Sequence, residues 1–415
     1  MQLERAPFGL IAFVIACAII SFAASARAEN HLDTRFTYFG ETSGNLKIHV
    51  FHPQLEITGD PHPAVTLRAG YDADVVTGAT PRTYGARSAI DVVSAATNFS
   101  DTRHAVHAGM EARVGRATLG ANYTFATEND YRSHAIDVRA KVDLFGKNTT
   151  FALSYSHNFD SVCDVDNRGA SPLARRSLIS SVGCFTSKTL VEESLAIDSY
   201  ALSWTQVLSP IVLGELSTSF EVVDGFQSNP YRRVRLFSGT VEAQESEPLV
   251  RERVAAQARL RIAVPKARAA VGVSGRYYWD TWGVQSGTVE LSWEQYILPQ
   301  LLIRVRGRFY QQGRALFYRD AGETNSYEAV GPVGQYFTGD RELSPLRDYL
   351  VGAKISYLKS AGPKGKIFKF LESVDLNLKV DVIGYENLSP QPPSAERAAN
   401  FIDAIIAQAG VTLRW

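Results

Sequence analysis

Apolar and polar side chains alternate at period two, in stretches of about ten residues, from His31 to the end of the chain. No other feature constrains the fold as tightly. In residues 136–144, Ile136, Val138, Ala140, Val142 and Leu144 fall on one face, and Asp137, Arg139, Lys141 and Asp143 on the other. Later, Val374, Leu376, Leu378, Val380 and Val382 oppose Asp375, Asn377, Lys379 and Asp381. Successive side chains on a strand point to opposite faces, so each stretch offers one apolar and one polar face. Strands of soluble proteins average about five or six residues. A tilted strand needs about nine to eleven to cross a bilayer. The predicted fold is therefore all-β: a transmembrane antiparallel up-and-down β-barrel of about 16 strands, bounded by about 14 and 18.

The links support this reading. Short ones fall at Gly59-Asp60-Pro61, Gly115-Arg116, Gly146-Lys147-Asn148, Ser209-Pro210, Pro265-Lys266 and Pro299-Gln300. Between them lie long ones, at residues 78–102, 160–194, 224–250 and 319–348. Outer-membrane barrels have short periplasmic turns and long extracellular loops. A periplasmic N-terminus puts every short link inside, and residues 359–373 are the one long link on that side. Tyr155, Trp204, Phe220, Tyr277, Trp279 and Trp293 suit interfacial aromatic girdles. In the last stretch Val411, Leu413 and Trp415 share a face, in the manner of the terminal strand read by the barrel assembly machinery.

Ahead of the barrel, residues 10–24 form a short apolar run after Arg5 and before Ala26-Arg27-Ala28. That pattern reads as a signal peptide over residues 1–28, leaving one barrel domain over residues 29–415 in the outer membrane, in contact with its lipid. The alternatives are an anchor helix and a lipobox ending at Cys17, past which apolar sequence continues. Removal of the signal leaves Cys163 and Cys184, and an exported setting favours one disulfide over two buried thiols.

With 43 basic and 43 acidic residues the chain is formally neutral, which argues against a nucleic-acid partner. The polar faces carry an arginine stripe: Arg251, Arg253, Arg259, Arg261, Arg268, Arg276, Arg304, Arg306, Arg308 and Arg314, with Glu290 and Glu294 among them. Arginine stays charged at any useful pH, so such a stripe sets a positive potential in a lumen and favours anionic solutes. The competing reading is a set of ion pairs with Glu290, Glu294 and Glu252 that fills the barrel. All eight histidines precede residue 158, and the spacings His49/His52 and His104/His107 send partners to opposite faces, so no metal site is expected. No nucleophile elbow, phosphate loop or Cys-x-x-Cys is present; neither an enzyme nor a cofactor is expected.

Several segments resemble the bacterial family of exported, barrel-like proteins known as domain of unknown function 3570. They are Tyr71-Asp72-Ala73-Asp74, Gly78-Ala79-Thr80-Pro81, Asp91-Val92-Val93-Ser94 and Glu128-Asn129-Asp130-Tyr131. Further along come Arg276-Tyr277-Tyr278-Trp279-Asp280-Thr281-Trp282-Gly283, Tyr310-Gln311-Gln312-Gly313-Arg314-Ala315 with Phe317-Tyr318, and Asp340-Arg341-Glu342-Leu343. The resemblance implies a fold but no activity. On the expected topology these segments lie at outer strand ends. Asp72, Asp74, Asp91, Glu128, Asp130, Asp280 and Asp340 would then form an extracellular rim, with Arg132, Arg276 and Arg341 among them. Two readings of that rim stay open: a cation site of hard oxygens, or loop order through caps and ion pairs. The leading function is a channel or solute-binding barrel for anionic or polar solutes. The rivals are a closed barrel serving as scaffold or as membrane partner of a periplasmic or surface redox or assembly system, and an outer-membrane enzyme acting at the surface.

Overall fold

A computed structural model describes residues 30–41, 48–78, 99–165, 190–229, 233–236, 241–318, 336–361, 367, 370–388 and 403–415. The expected signal peptide, Cys184 and Asp91 lie outside the described residues.

Sixteen antiparallel strands close into a barrel. They are β1 (His31–Glu41), β2 (Ile48–His62), β3 (Val65–Gly78), β4 (Phe99–Val114), β5 (Ala117–Thr127), β6 (Tyr131–Leu144), β7 (Thr149–Val165), β8 (Leu190–Ser209) and β9 (Val212–Gly225). After a small hairpin of β10 (Arg233–Leu236) and β11 (Val241–Gln244), the wall resumes with β12 (Val250–Val264), β13 (Ala269–Asp280), β14 (Gln285–Leu298) and β15 (Leu301–Gln312). It ends with β16 (Leu346–Ser360), β17 (Ser373–Asn387) and β18 (Ala404–Arg414). Closure comes from β18 pairing with β1, His31 against Arg414 through Glu41 against Ala404, so no strand edge is left open. Cross-strand pairs climb about one residue per strand around the wall, which corresponds to tilted strands.

The start of β1, the end of β18 and the tight turns share one end, here the inner end. Those turns include Phe145–Lys147 and Pro265–Ala267, and Arg268 takes a left-handed conformation just after the second. The expected long inner link is present between β16 and β17. At the outer end β7 and β8 run on well past the lengths expected from the alternation, to 17 and 20 residues, and form a tall hairpin. The hairpin β10–β11 was not expected; its four-residue strands are too short to show a period.

The apolar faces point away from the barrel axis and are exposed. Leu153, Leu291 and Val351 are 55%, 57% and 71% exposed, and the expected girdle residues Trp204, Phe220, Tyr277, Trp279 and Trp293 are exposed with them. An apolar wall of this extent exceeds what a soluble monomer presents to water. The remaining faces turn inward and carry nearly all the charge.

Candidate functional site

Two walls of the lumen hold its chemistry. On the β9–β17 side, most of the stripe arginines meet carboxylates one or two strands away. Arg253 Nη1 donates to Glu221 at 2.6 Å, and Arg259 faces Glu215 at 3.7 Å. Arg306 donates to Glu290 at 3.1 Å and to the buried Asp381 at 2.8 Å, which Lys379 also reaches at 2.8 Å. Arg308 donates to Asp348 at 3.0 Å. Arg276 lies 5.9 Å from the centre of the Tyr278 ring.

Glu294 serves two guanidiniums. Arg304 Nε donates to it at 2.6 Å, and Arg261 Nη2 donates from the other side. To reach it, Arg261 spans β13, where the facing residues are Gly272 and Ala270. Small residues there leave the path open.

The opposite wall repeats this arrangement. Glu111 on β4 accepts from Arg68 Nη2 at 2.8 Å and is ion-paired with Arg139 Nε at 3.2 Å. Arg139 spans β5 at Gly120, where an added Cβ would sit 2.8 Å from Arg139 Nε. Followed around the wall from Glu111, the pairings lead to Ser286 on β14. Since β4 and β14 stand half a circuit apart in the closed order, the climb of the ladder makes Glu294 the residue level with Glu111. The two Arg–Glu–Arg triads thus face each other across the lumen. Above the second triad, His52 and Arg103 both contact Asp74, and His107 lies 3.4 Å from Glu56.

The positive charge is therefore less continuous than the sequence implied. Among the described residues, Arg251, Arg253, Arg259, Arg306 and Arg308 each meet a carboxylate other than those of the triads. The excess sits where two guanidiniums share one carboxylate. Arg261 and Arg304 keep 55% and 44% of their side-chain surface open, so the space in front of them is unfilled. Glu252, an expected partner, lies on the outward register with Val254. Arg268 belongs to the inner turn, and Arg314 to the outer segment beyond β15 rather than to the lumen wall.

The expected acidic rim does not gather. Asp72 and Asp74 are on β3, Glu128 and Asp130 at the β5–β6 turn, and Asp280 and Asp340 on the far side of the barrel. Asp280 is fully buried: it accepts from Arg251 Nε at 3.0 Å, Tyr278 Oη at 2.7 Å and Val284 N at 2.9 Å. Arg251 in turn lies 4.2 Å from the Trp282 ring centre. Trp282, Val284, Ala315, Phe317, Tyr318 and Leu343 pack into a small core at the outer end. Gln312 donates to the Glu342 and Ser344 carbonyls at 2.7 Å each, tying the β15–β16 segment down. Asp340 Oδ1 accepts from Glu342 N at 2.9 Å, a turn cap. Asp280 and Asp340 thus serve loop order.

A second outer cluster joins the β9–β12 segment to this cap, through Thr338 Oγ1 donating to the buried Glu245 at 2.6 Å and a bridge between Ser246 and Phe337. Sequence reasoning missed it, because no period marks a loop core. At the mouth of β6, burial and a hydrogen bond to Asp160 push the Tyr131 phenol well above the usual tyrosine range. Cys163, at the outer end of β7, is disulfide-bonded. Among the described residues, no group of three or more His, Cys, Asp or Glu side chains is placed to hold a metal ion.

A family model described as "Protein of unknown function (DUF3570)" matches residues 6–364. No curated protein matches the sequence. Among solved structures the chain is similar to OccK2 (OpdF) of Pseudomonas aeruginosa in complex with glucuronate, at 9% identity and a TM-score of 0.41, covering 93% of this chain and 98% of that one. It is also similar to a bacterial polysaccharide outer membrane secretin, at 10% identity and a TM-score of 0.46, covering 94% and 100% of the two chains. A third similar structure is CdiB from Acinetobacter baumannii, at 9% identity and a TM-score of 0.45, covering 94% of this chain and 61% of that one.

Proposed function

The chain belongs to the DUF3570 family, and from that premise and the lumen geometry we propose that it is an outer-membrane channel for small polar and anionic solutes. The observation that carries this reading is the pair of opposed Arg–Glu–Arg triads, with the Arg261 and Arg304 side chains open to the lumen. Each triad sets two guanidiniums on one carboxylate. A low-dielectric barrel focuses positive charge, and a passing anion exchanges part of its hydration for guanidinium donors. The paired arginines contribute a fixed polar surface that water and polar solutes can wet. The protein acts by passage and binding, without a catalytic step.

The exposed apolar wall supports membrane insertion, and its link pattern supports an orientation with the termini in the periplasm. On this reading residues 1–28 direct export and are removed, and Val411, Leu413 and Trp415 present the terminal strand to the assembly machinery. Swelling of liposomes containing the refolded barrel tests the proposal. A monoanionic sugar acid is expected to enter faster than the neutral sugar of equal size, and Arg261→Gln with Arg304→Gln is expected to erase that preference. Equal entry of the two solutes in the unaltered protein would contradict it.

A second reading follows from the ordered cap around Trp282 and Phe317. A barrel closed at that mouth serves as a scaffold or as the membrane partner of a periplasmic or surface protein. Liposomes that do not swell, despite a folded barrel, favour it.

A further inference from the structure

The outward face carries a repeated device that the lumen does not explain. Tyr38 on β1 shares a hydrogen bond with His49 Nδ1 on β2 at 2.8 Å. Tyr71 on β3 meets His104 Nδ1 on β4 at 2.8 Å, and Tyr123 on β5 meets His134 Nδ1 on β6 at 2.6 Å. On the next hairpin Asp198 of β8 accepts from Tyr155 at 2.7 Å and contacts His157 Nδ1 at 2.7 Å. Four successive hairpins thus hold an outward histidine by Nδ1.

The climb of the ladder brings these histidines to nearly one level, just outside the tyrosines of the aromatic girdle. The other half of the wall has no histidine, since all eight precede residue 158. Its girdle is Phe220, Tyr277, Trp279, Phe309 and Tyr349. Burial does not account for the arrangement, because His104 and His134 are exposed. In each pair Nδ1 is the bonded nitrogen and Nε2 has no hydrogen bond among the described residues, while Phe125 packs 4.9 Å from the His134 ring centre.

We propose that this arc is a docking surface for the phosphate groups of anionic lipids at the outer membrane–water interface. A girdle sits at the level of the headgroups. A protonated imidazole there carries one positive charge and an Nε2–H donor, which matches a phosphate monoester. The tyrosine hydroxyl can accept from Nδ1–H once the ring is charged, so the pair holds its geometry in both states. The charged groups near the arc are Asp198, already tied to His157, Asp72 beside Tyr71, and Arg132, outward on β6 beyond His134. Attraction to phosphate is strongest with the imidazoles protonated, a state that lower pH favours.

The test is thermal unfolding of the full-length mature barrel in neutral micelles doped with phosphatidic acid or with phosphatidylcholine, at pH 5.5 and 7.5. Phosphatidic acid is expected to raise Tm at pH 5.5 by about 3 °C or more over phosphatidylcholine, with most of the gain lost at pH 7.5. His49→Phe, His104→Phe and His134→Phe combined, which keep the ring shape on an apolar face, are expected to abolish it. The unaltered protein needs no variant to fold: equal Tm in both lipids at pH 5.5 would overturn the proposal. So would an equal gain from inorganic phosphate, which points to a free anion. A doubling of particle mass at pH 5.5 that the triple variant loses would overturn it too, and assign the arc to contacts between copies.

Discussion

Replacing Asp280 by alanine isolates the contribution of the outer cap. Asp280 is fully buried, and the Arg251 side chain that donates to it is only 12% exposed. Removing the carboxylate leaves that guanidinium uncompensated and orphans the Tyr278 hydroxyl and the Val284 amide. Breaking a buried pair from one side costs about 3–5 kcal/mol. At a urea m-value of about 2 kcal/mol/M, a loss of 4 kcal/mol lowers the unfolding midpoint by about 2 M. Tryptophan fluorescence of the refolded barrel is a direct readout, because Trp282 stacks on Arg251 within the cluster. Removing both charges together, Arg251→Met with Asp280→Leu, is expected to cost roughly half as much, since no unpaired charge remains. A single variant within about 1 kcal/mol of the unaltered protein, or a double variant as costly as the single one, would refute the assignment of Asp280 to loop order.

Three further outcomes are expected. Gly225 closes β9 at φ +128°, where an added Cβ would stand 2.1 Å from the Ser194 carbonyl oxygen, so Gly225→Ala is expected to cost about 2 kcal/mol in the same urea titration. Tyr131 is held neutral by burial and Asp160, so its contribution to stability is full below about pH 10 and is lost as pH rises above that value; Tyr131→Phe is expected to flatten the unfolding midpoint between pH 9 and 11, and an unchanged slope would refute this. Thiol labelling of the denatured mature protein is expected to find no reactive cysteine before reduction and two afterwards, with Cys163→Ser and Cys184→Ser each exposing one thiol; free thiols in the unreduced protein would count against the disulfide.

The wall was legible in the sequence because a bilayer imposes the same alternation on every strand. Exposure alternates from His134 to Arg139 as the sequence does, and five of the six short links read from the sequence fall at the joins of wall strands; the sixth, Gly59–Pro61, lies inside β2, whose turn follows at Pro63 and Ala64. The face rule also separated His49 from His52 and His104 from His107: the first of each pair bonds an outward tyrosine, the second a lumen carboxylate. The partners of the arginines were not legible. Arg261 reaches Glu294 only because β12 and β14 flank a strand with Gly272 and Ala270 at the crossing, and register between distant segments leaves no local trace. The acidic rim failed for a related reason. Asp74 and Asp280 both lie near outer strand ends, but half a circuit of wall separates them. The cap around Trp282 was invisible because loop residues pack there without any period.

Single-channel conductance of the refolded barrel in a planar bilayer, with reversal potentials under a salt gradient, bears most directly on the proposed function. Stable conductance steps with a preference for anions are expected, and the preference is expected to fall when Arg261 and Arg304, or Arg68 and Arg139, are replaced by glutamine. A folded barrel that conducts nothing would contradict the channel, and steps with unchanged selectivity in both double variants would contradict the role of the triads.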